Sequence, residues 1–285
     1  MRLRKRYTIN ELRDYSSLFS RNEVVRWYSN DFSSIRKKIE RYDFPVFGKH
    51  CSYLSYLRYI YSVLEKFYPN EYVYKNEFIN KWLISETGGT DSIIFNEFRL
   101  GKVVADLVMF NGNSKVFEIK TLLDKETRLS NQIIQYSKIF NEVYVIVPET
   151  KSERYLQICS NVGIISCGEG SSEFRLVRKP IENSEIEVDV LMEVLHTHEY
   201  ISIVQNYFGF KPMFNDFNKF NICKGLIKEI PNDVLNKEFI SIMKTRKRNN
   251  EFSKEVKQFN QIFLSMNYSQ PQKTKLLNNL RTTVI

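Results

Sequence analysis

Histidine and cysteine are scarce, with three and four residues respectively in a chain of 285. The cysteines, Cys51, Cys159, Cys167 and Cys223, form no C-x-x-C pair and have no histidine at finger spacing. No zinc site can be read from them, and they are expected to be reduced, buried apolar side chains. His196 and His198 stand two apart, which is expected to place them on opposing sides of a helix and away from a shared metal. His50, beside Cys51 in a loop-like stretch, has no plausible triad partners. Gly168-Glu169-Gly170 lacks the helix and the lysine that a phosphate-cradling loop requires. No apolar run is long enough to span a bilayer. The basic start, Met1 to Tyr7, leads into no apolar signal-peptide core. A cytoplasmic protein without a membrane partner is therefore expected. Internal repeats and low-complexity tracts are absent too.

Apolar and basic residues are plentiful. The chain is 42% hydrophobic, with 21 Phe and 17 Tyr, enough for a packed interior. Its length exceeds one typical domain, so a compact core with substantial additions is expected. Forty-two Lys and Arg against 33 Asp and Glu give a formal charge of +9, and the pI is near 9.2. That balance favours a polyanionic partner such as nucleic acid.

From Asn10 to about Phe67 the pattern is helical, with a break at Phe44-Pro45 and Gly48. Tyr56, Tyr59, Ile60 and Leu64 line one face of the second stretch, as a core stripe rather than a base-stacking platform. Another helix is expected from Tyr74 to Ile84, ending at Gly88-Gly89. The period then turns extended: Ile93 to Leu100, Val103 to Phe110 and Lys115 to Leu122 are expected as successive strands of an antiparallel meander. A helix from Thr127 to Phe140 follows, with Asp124 available to cap it. Strand Val143 to Val147, helix Ser152 to Cys159 and strand Val162 to Ser166 continue the alternation. Beyond about Pro180 the strand signal fades and helices return. The last of these ends in the basic run Lys244, Arg246, Lys247 and Arg248, read as a solvated helix face with phosphate contact as the alternative. The expected fold is α/β: a mixed sheet made of an antiparallel meander and then β-α-β. It occupies residues 70–180, with an N-terminal helical region at 1–69 and a C-terminal one at 181–285.

Asp106 interrupts an otherwise apolar strand, an expensive place for a lone carboxylate. In the next strand a period of two puts Glu118 and Lys120 on one face, with Phe117 and Ile119 on the other. Register decides whether Asp106 joins them. A three-residue loop at Asn111–Asn113 pairs 110 with 114 and sets 106 across from 118, whereas a two-residue Asn111-Gly112 loop separates their faces. Upstream, a two-residue turn at Gly101-Lys102 pairs 100 with 103 and sets Glu97 beside Asp106. Three carboxylates so gathered repel one another unless a divalent cation neutralises them, and oxygen ligands select Mg²⁺ or Mn²⁺ over zinc. The blander alternative is an ordinary Glu118–Lys120 ion pair on a solvated strand, with Asp106 at an edge.

The spacing of Asp106, then Glu118-Ile119-Lys120, resembles the signature of the PD-(D/E)XK nuclease superfamily, with Ala105 where proline is frequent. Glu97 matches an additional acidic residue common among its members. Asp124, Arg128, Leu129, Gln132 and Tyr136 resemble the Gln-x-x-x-Tyr helix that flanks the active site in its recombination and CRISPR-associated branches. Roughly residues 50–200 resemble a poorly characterised bacterial family assigned to this superfamily. The resemblance implies a restriction-endonuclease-like fold and a Mg²⁺- or Mn²⁺-dependent endo- or exodeoxyribonuclease. In that reading Asp106, Glu118 and the Ile119 carbonyl hold the metal and Glu97 assists. Lys120 and Gln132 orient water and phosphate, and Arg128 and Tyr136 contact the substrate. The alternatives are a binding module on an inactive nuclease fold, for nucleic acid or protein, and a nuclease directed at RNA.

Overall fold

The computed structural model describes residues 6–44, 47, 51–86, 92–122, 126–168, 173–246 and 251–284. They form two compact units, each gathered from separated stretches of chain. A helical unit comprises Met1–Ser85, Gly168–Phe174 and Asn249–Ile285; a sheet unit comprises Glu86–Cys167 and Arg175–Arg248. The stretch 181–285, expected as one helical region, is thus shared between them.

In the helical unit the helix Tyr53–Phe67 starts where the Ser52 hydroxyl accepts the Ser55 N–H at 3.1 Å. Its apolar residues recur at helical spacing, and Tyr56, Ile60 and Leu64 are wholly buried, so the stripe is core. The phenol of Tyr56 finds a partner inside, donating at 2.7 Å to the buried Asp43, as does that of Tyr15. The helix Glu71–Phe78, capped by Asn70, continues into a π-helical turn, Ile79–Leu83. Residues 249–285 complete this unit. The Tyr53 N–H donates to the Thr282 carbonyl at 3.2 Å, the Val284 N–H to the Cys51 carbonyl at 2.8 Å, and the Gln261 N–H to the Asn76 side chain at 3.0 Å.

The sheet has six strands in the order of the chain: β1 Ile93–Leu100, β2 Val103–Phe110, β3 Ser114–Ile119, β4 Glu142–Pro148, β5 Gly163–Cys167 and β6 Phe174–Arg178. Strands β1 to β3 form the antiparallel meander, and β3, β4 and β5 are parallel. The fold is therefore α/β with an open mixed sheet. Strand β6 was not anticipated; its five residues carry Arg175 and Arg178 and are mostly exposed or half-buried, which weakens the apolar signal. The loop after β2 has three residues. Phe110 pairs with Ser114, Gly112 has φ +122°, and the Asn111 N–H donates to the Asn113 carbonyl at 3.1 Å.

Strict alternation fails on β1 and β2 at the same level, at a place that matters. Phe95 and Phe98, three apart, both pack against Phe110, with ring centroids 5.8 and 6.5 Å away. A period of two would put them on opposite faces. The strand turns over at Glu97, whose φ is +54°. On β2, Ala105 and Val108 likewise both enter the core. Asn96 pairs with Leu107 and Phe98 with Ala105, while Glu97 and Asp106 drop out of the ladder between them.

The apolar face of the sheet needs cover, and helices beyond residue 180 supply it. Phe239, from the helix Asn232–Thr245, stands edge-on to Phe110 at 5.4 Å and packs with Phe140. Truncating a buried phenylalanine of this kind typically costs about 3–5 kcal/mol, so these helices are integral to the sheet unit. Among the described residues no helix is long and apolar enough to cross a membrane.

Candidate active site

Glu118 lies near the end of β3, 3% exposed, in a net of donors. The Lys120 ammonium donates to its Oε1 at 2.8 Å and the Gln132 amide to the same oxygen at 2.7 Å; the Tyr136 phenol donates to Oε2 at 2.9 Å. Lys120 also donates to the Gln132 side-chain oxygen at 3.1 Å. The Tyr136 hydroxyl is 3.1 Å from the Val104 carbonyl as well, and its single proton serves one acceptor at a time. Two elements create this arrangement. The β3 pleat puts Glu118 and Lys120 on one side, and the helix Leu129–Tyr136 presents Gln132 and Tyr136 one turn apart. That helix begins later than expected, after a 3₁₀ turn at Glu126–Arg128. Arg128 is exposed at its start. Asp124, expected as the cap, lies outside the described residues, as do His50, Gly88, Gly89, Lys247 and Arg248.

Asp106 reaches β3 by its side chain where the backbones part. The β2–β3 ladder ends at Leu107 with Phe117, and beyond it Asp106 Oδ2 accepts the Ile119 N–H at 2.8 Å. Burial and then the negative charge of Asp106 push the Glu118 carboxyl up, against the pull of Lys120 and the Tyr136 hydrogen bond. Burial and Glu118 in turn push the Tyr136 phenol far up, so it stays a donor. Two carboxylates therefore stand close enough to perturb one another, beside one lysine.

A raised carboxyl pKa has a signed consequence. Folded protein holds the Glu118 proton more tightly than unfolded chain, so the resulting stability is full below the ordinary carboxylate pKa and is lost as pH rises through the raised value. Without metal, wild type is expected to lose stability over that window relative to Glu118→Gln. Denaturant melts of both proteins in chelator across pH 4–8 check this; parallel curves would contradict it.

Glu97 does not pair with Asp106 in the ladder, although its neighbours Asn96 and Phe98 pair with Leu107 and Ala105; it lines a separate cavity of about 330 Å³ with Asn96, Arg99, Glu193, His196 and Arg246. This wall was missed by sequence reasoning. Arg246 is not the solvated helix charge expected of the basic run. Its guanidinium grips the buried Glu199 in two bonds, at 2.7 and 2.6 Å, and donates to the Val194 carbonyl at 2.8 Å. Burial pushes the Glu199 carboxyl up, but Arg246 and the hydrogen bond from the His196 N–H together more than offset it, and the net shift is downward. His196 and His198 are not on opposing sides of a helix, because His196 precedes the helix Thr197–Phe208 as its cap residue. Their rings lie 5.8 Å apart, and with Glu199 they bring potential ligand atoms within 4.8 Å of one another. Glu199 is already committed to Arg246, so a cation there meets a guanidinium as competitor.

Among known proteins, protein cII of Enterobacteria phage P4 is 26% identical over 132 residues, which are 45% of this chain and 50% of that protein. The chain thus matches about half the length of that relative. The SPO1766 protein of unknown function from Silicibacter pomeroyi aligns in structure over 49% of this chain and 93% of its own, at 12% identity and a TM-score of 0.32. A family model described as bacteriophage P4 protein cII matches residues 65–277, a span that includes the whole sheet and the Glu118 network, and the chain belongs to that family.

Proposed function

We propose that the chain is a metal-dependent nuclease that hydrolyses phosphodiester bonds, with DNA as its substrate and a restriction-endonuclease-like, PD-(D/E)XK arrangement as its core. One observation carries this reading: Asp106 and Glu118, on strands that separate between them, hold a mutually repelling carboxylate pair with Lys120 two residues from Glu118. The donor set fits Mg²⁺ or Mn²⁺. It offers two carboxylates and the Ile119 carbonyl, all hard oxygen ligands, and a divalent cation would counter both the burial and the Asp106 repulsion that raise the Glu118 pKa. Asp106, Glu118 and the Ile119 carbonyl would hold the ion, with Glu97 assisting from β1. When bound, it supplies Lewis acidity toward the phosphate and a water acidic enough to attack.

The chain's own groups then have defined tasks. Lys120 carries a compact positive charge to the position where a phosphorane-like transition state gathers negative charge. Gln132, in contact with both Lys120 and Glu118, aligns the attacking water and the phosphate. Tyr136 keeps Glu118 oriented, and Arg128, exposed at the head of the same helix, contacts the substrate backbone. A cytoplasmic location suits this substrate.

The test is cleavage of single-stranded, duplex and branched DNA, beside matched RNA, with Mg²⁺, with Mn²⁺ and with chelator. Metal-dependent cutting of DNA is the expected result, and RNA alone as substrate would transfer the same chemistry to a ribonuclease. No cutting of any substrate would overturn the proposal. One observation favours a second reading, a binding module on an inactive nuclease fold: Glu118 already accepts three hydrogen bonds, an arrangement satisfied without metal.

A further inference from the structure

The positive charge of the chain is not spread evenly. The helical unit has 21 Lys and Arg against 13 Asp and Glu, a difference of +8; the sheet unit has 21 against 20, a difference of +1. Nearly all of the +9 excess therefore belongs to the unit that lacks the Asp106–Glu118 pair. Long-range attraction to a polyanion follows net charge, and on this count the sheet unit contributes little of it.

Within the helical unit, three arginines are tied to one surface. Ser55, Arg58 and Ser62 follow one another along the exposed side of the helix Tyr53–Phe67. Arg58 donates to the Glu255 backbone carbonyl at 3.3 Å, and Arg281 pairs with the Glu255 carboxylate at 3.3 Å, which brings the two guanidinium groups to the same short segment. Arg36 donates to the Tyr53 hydroxyl at 3.2 Å, and the backbone N–H of Tyr53 is bonded to Thr282, next to Arg281. Hydroxyls and guanidinium groups dominate this surface, with the exposed Glu255 carboxylate between Arg58 and Arg281, a surface partner that phosphate can displace. Arginine matches phosphate oxygens with two parallel N–H bonds, and serine adds single donors, the chemistry that positions a phosphodiester backbone without reading bases. A membrane surface would call for an apolar face beside the charges, which Ser55 and Ser62 do not provide.

We propose that this surface of the helical unit, centred on Arg36, Arg58 and Arg281, is the principal anchor for the nucleic-acid backbone, and that the sheet unit adds little to affinity. The proposal rests on the nuclease reading for its ligand and assigns the binding to a different part of the chain. Neutralising three phosphate contacts removes about 2.7 from the slope of log affinity against log salt for duplex DNA, and at about 0.1 M salt that corresponds to roughly a hundredfold or greater loss.

The experiment measures binding of labelled duplex DNA to the full chain in chelator, over a range of salt. The variant Arg36→Gln, Arg58→Gln, Arg281→Gln is compared with Lys211→Gln, Lys228→Gln, Lys237→Gln, which removes the same charge from exposed positions of the sheet unit. The first is expected to flatten the salt slope and lose affinity, the second to match wild type. Because the first variant also loses internal hydrogen bonds, a gain-of-charge variant, Ser55→Lys with Ser62→Lys, provides a second arm and is expected to steepen the slope. Equal effects of the two triple variants, or no effect of the serine changes, would overturn the proposal. So would binding to vesicles rich in phosphatidylserine with none to DNA. Arginine-dependent binding without any metal-dependent cleavage would support the anchor and sink the nuclease reading; cleavage with binding indifferent to these arginines would do the reverse.

Discussion

Asp106→Asn is expected to lower phosphodiester cleavage by a factor of about 10³ or more while leaving the metal-free protein folded and no less stable than wild type. The asymmetry comes from the two tasks of this side chain. As an acceptor it holds the Ile119 N–H at 2.8 Å, and an asparagine carbonyl oxygen accepts the same bond. As a charge it repels Glu118, and that repulsion disappears in the variant. If Asp106 is the metal ligand we propose, the loss of rate follows from its removal, since a bound cation contributes several kcal/mol of transition-state stabilisation and each 1.36 kcal/mol is tenfold in rate. Steady-state cleavage, Mn²⁺ titration calorimetry and a denaturant melt in chelator check the three parts. Retained cleavage would remove Asp106 from the site; collapse of the fold would show that its structural task dominates.

Lys120→Met is expected to act through stability first. Lys120 is 8% exposed and Glu118 3%, so removing the ammonium leaves a buried carboxylate without its cation. Breaking a buried pair from one side typically costs about 3–5 kcal/mol. Gln132 and Tyr136 still donate to Glu118, which places the expected loss toward the lower end of that range. The result specific to this site is rescue: Mg²⁺ or Mn²⁺ is expected to restore more stability to Lys120→Met than it adds to wild type, because the cation takes over the neutralising role. On the proposed nuclease reading cleavage is expected to stay low even when the fold is restored, since the charge that Lys120 would bring beside the transferring phosphate is gone. Thermal melts with and without metal decide it, and an equal metal response in both proteins would contradict the expectation.

The meander was legible because its signals are local. Alternation from Ile93 onward, Gly101-Lys102, and Asn111-Gly112-Asn113 each report on a few neighbouring residues, and together they set the register that carries Asp106 toward β3. The spacing of four that puts Gln132 and Tyr136 on one helical face was legible for the same reason, but their hydrogen bonds to Glu118 were not: Tyr136, expected at the substrate, is wholly buried against that carboxylate. What escaped is non-local or unusual. A glutamate with φ +54° at position 97 has no sequence mark, since glycine is the residue expected there. The wall made by Arg246 and Glu199 joins positions 47 residues apart. The division into two units depends on contacts such as Gln261 with Asn76, separated by 185 residues, which no periodicity reveals.

Those distant contacts also set an order of events during synthesis. Domains tend to fold as they emerge from the ribosome. Residues 86–248 contain every segment of the sheet unit, so that unit can close while residues 249–285 are still being added. The helices of residues 1–85 must wait longer, because Tyr53, Asn76 and Trp27 are bonded by groups that arrive only with Thr282, Gln261 and Asn279. A nascent chain therefore passes through a stage in which the sheet unit is finished and its earlier-made neighbour is still open, and a message cut short after residue 248 would fix the protein at that stage.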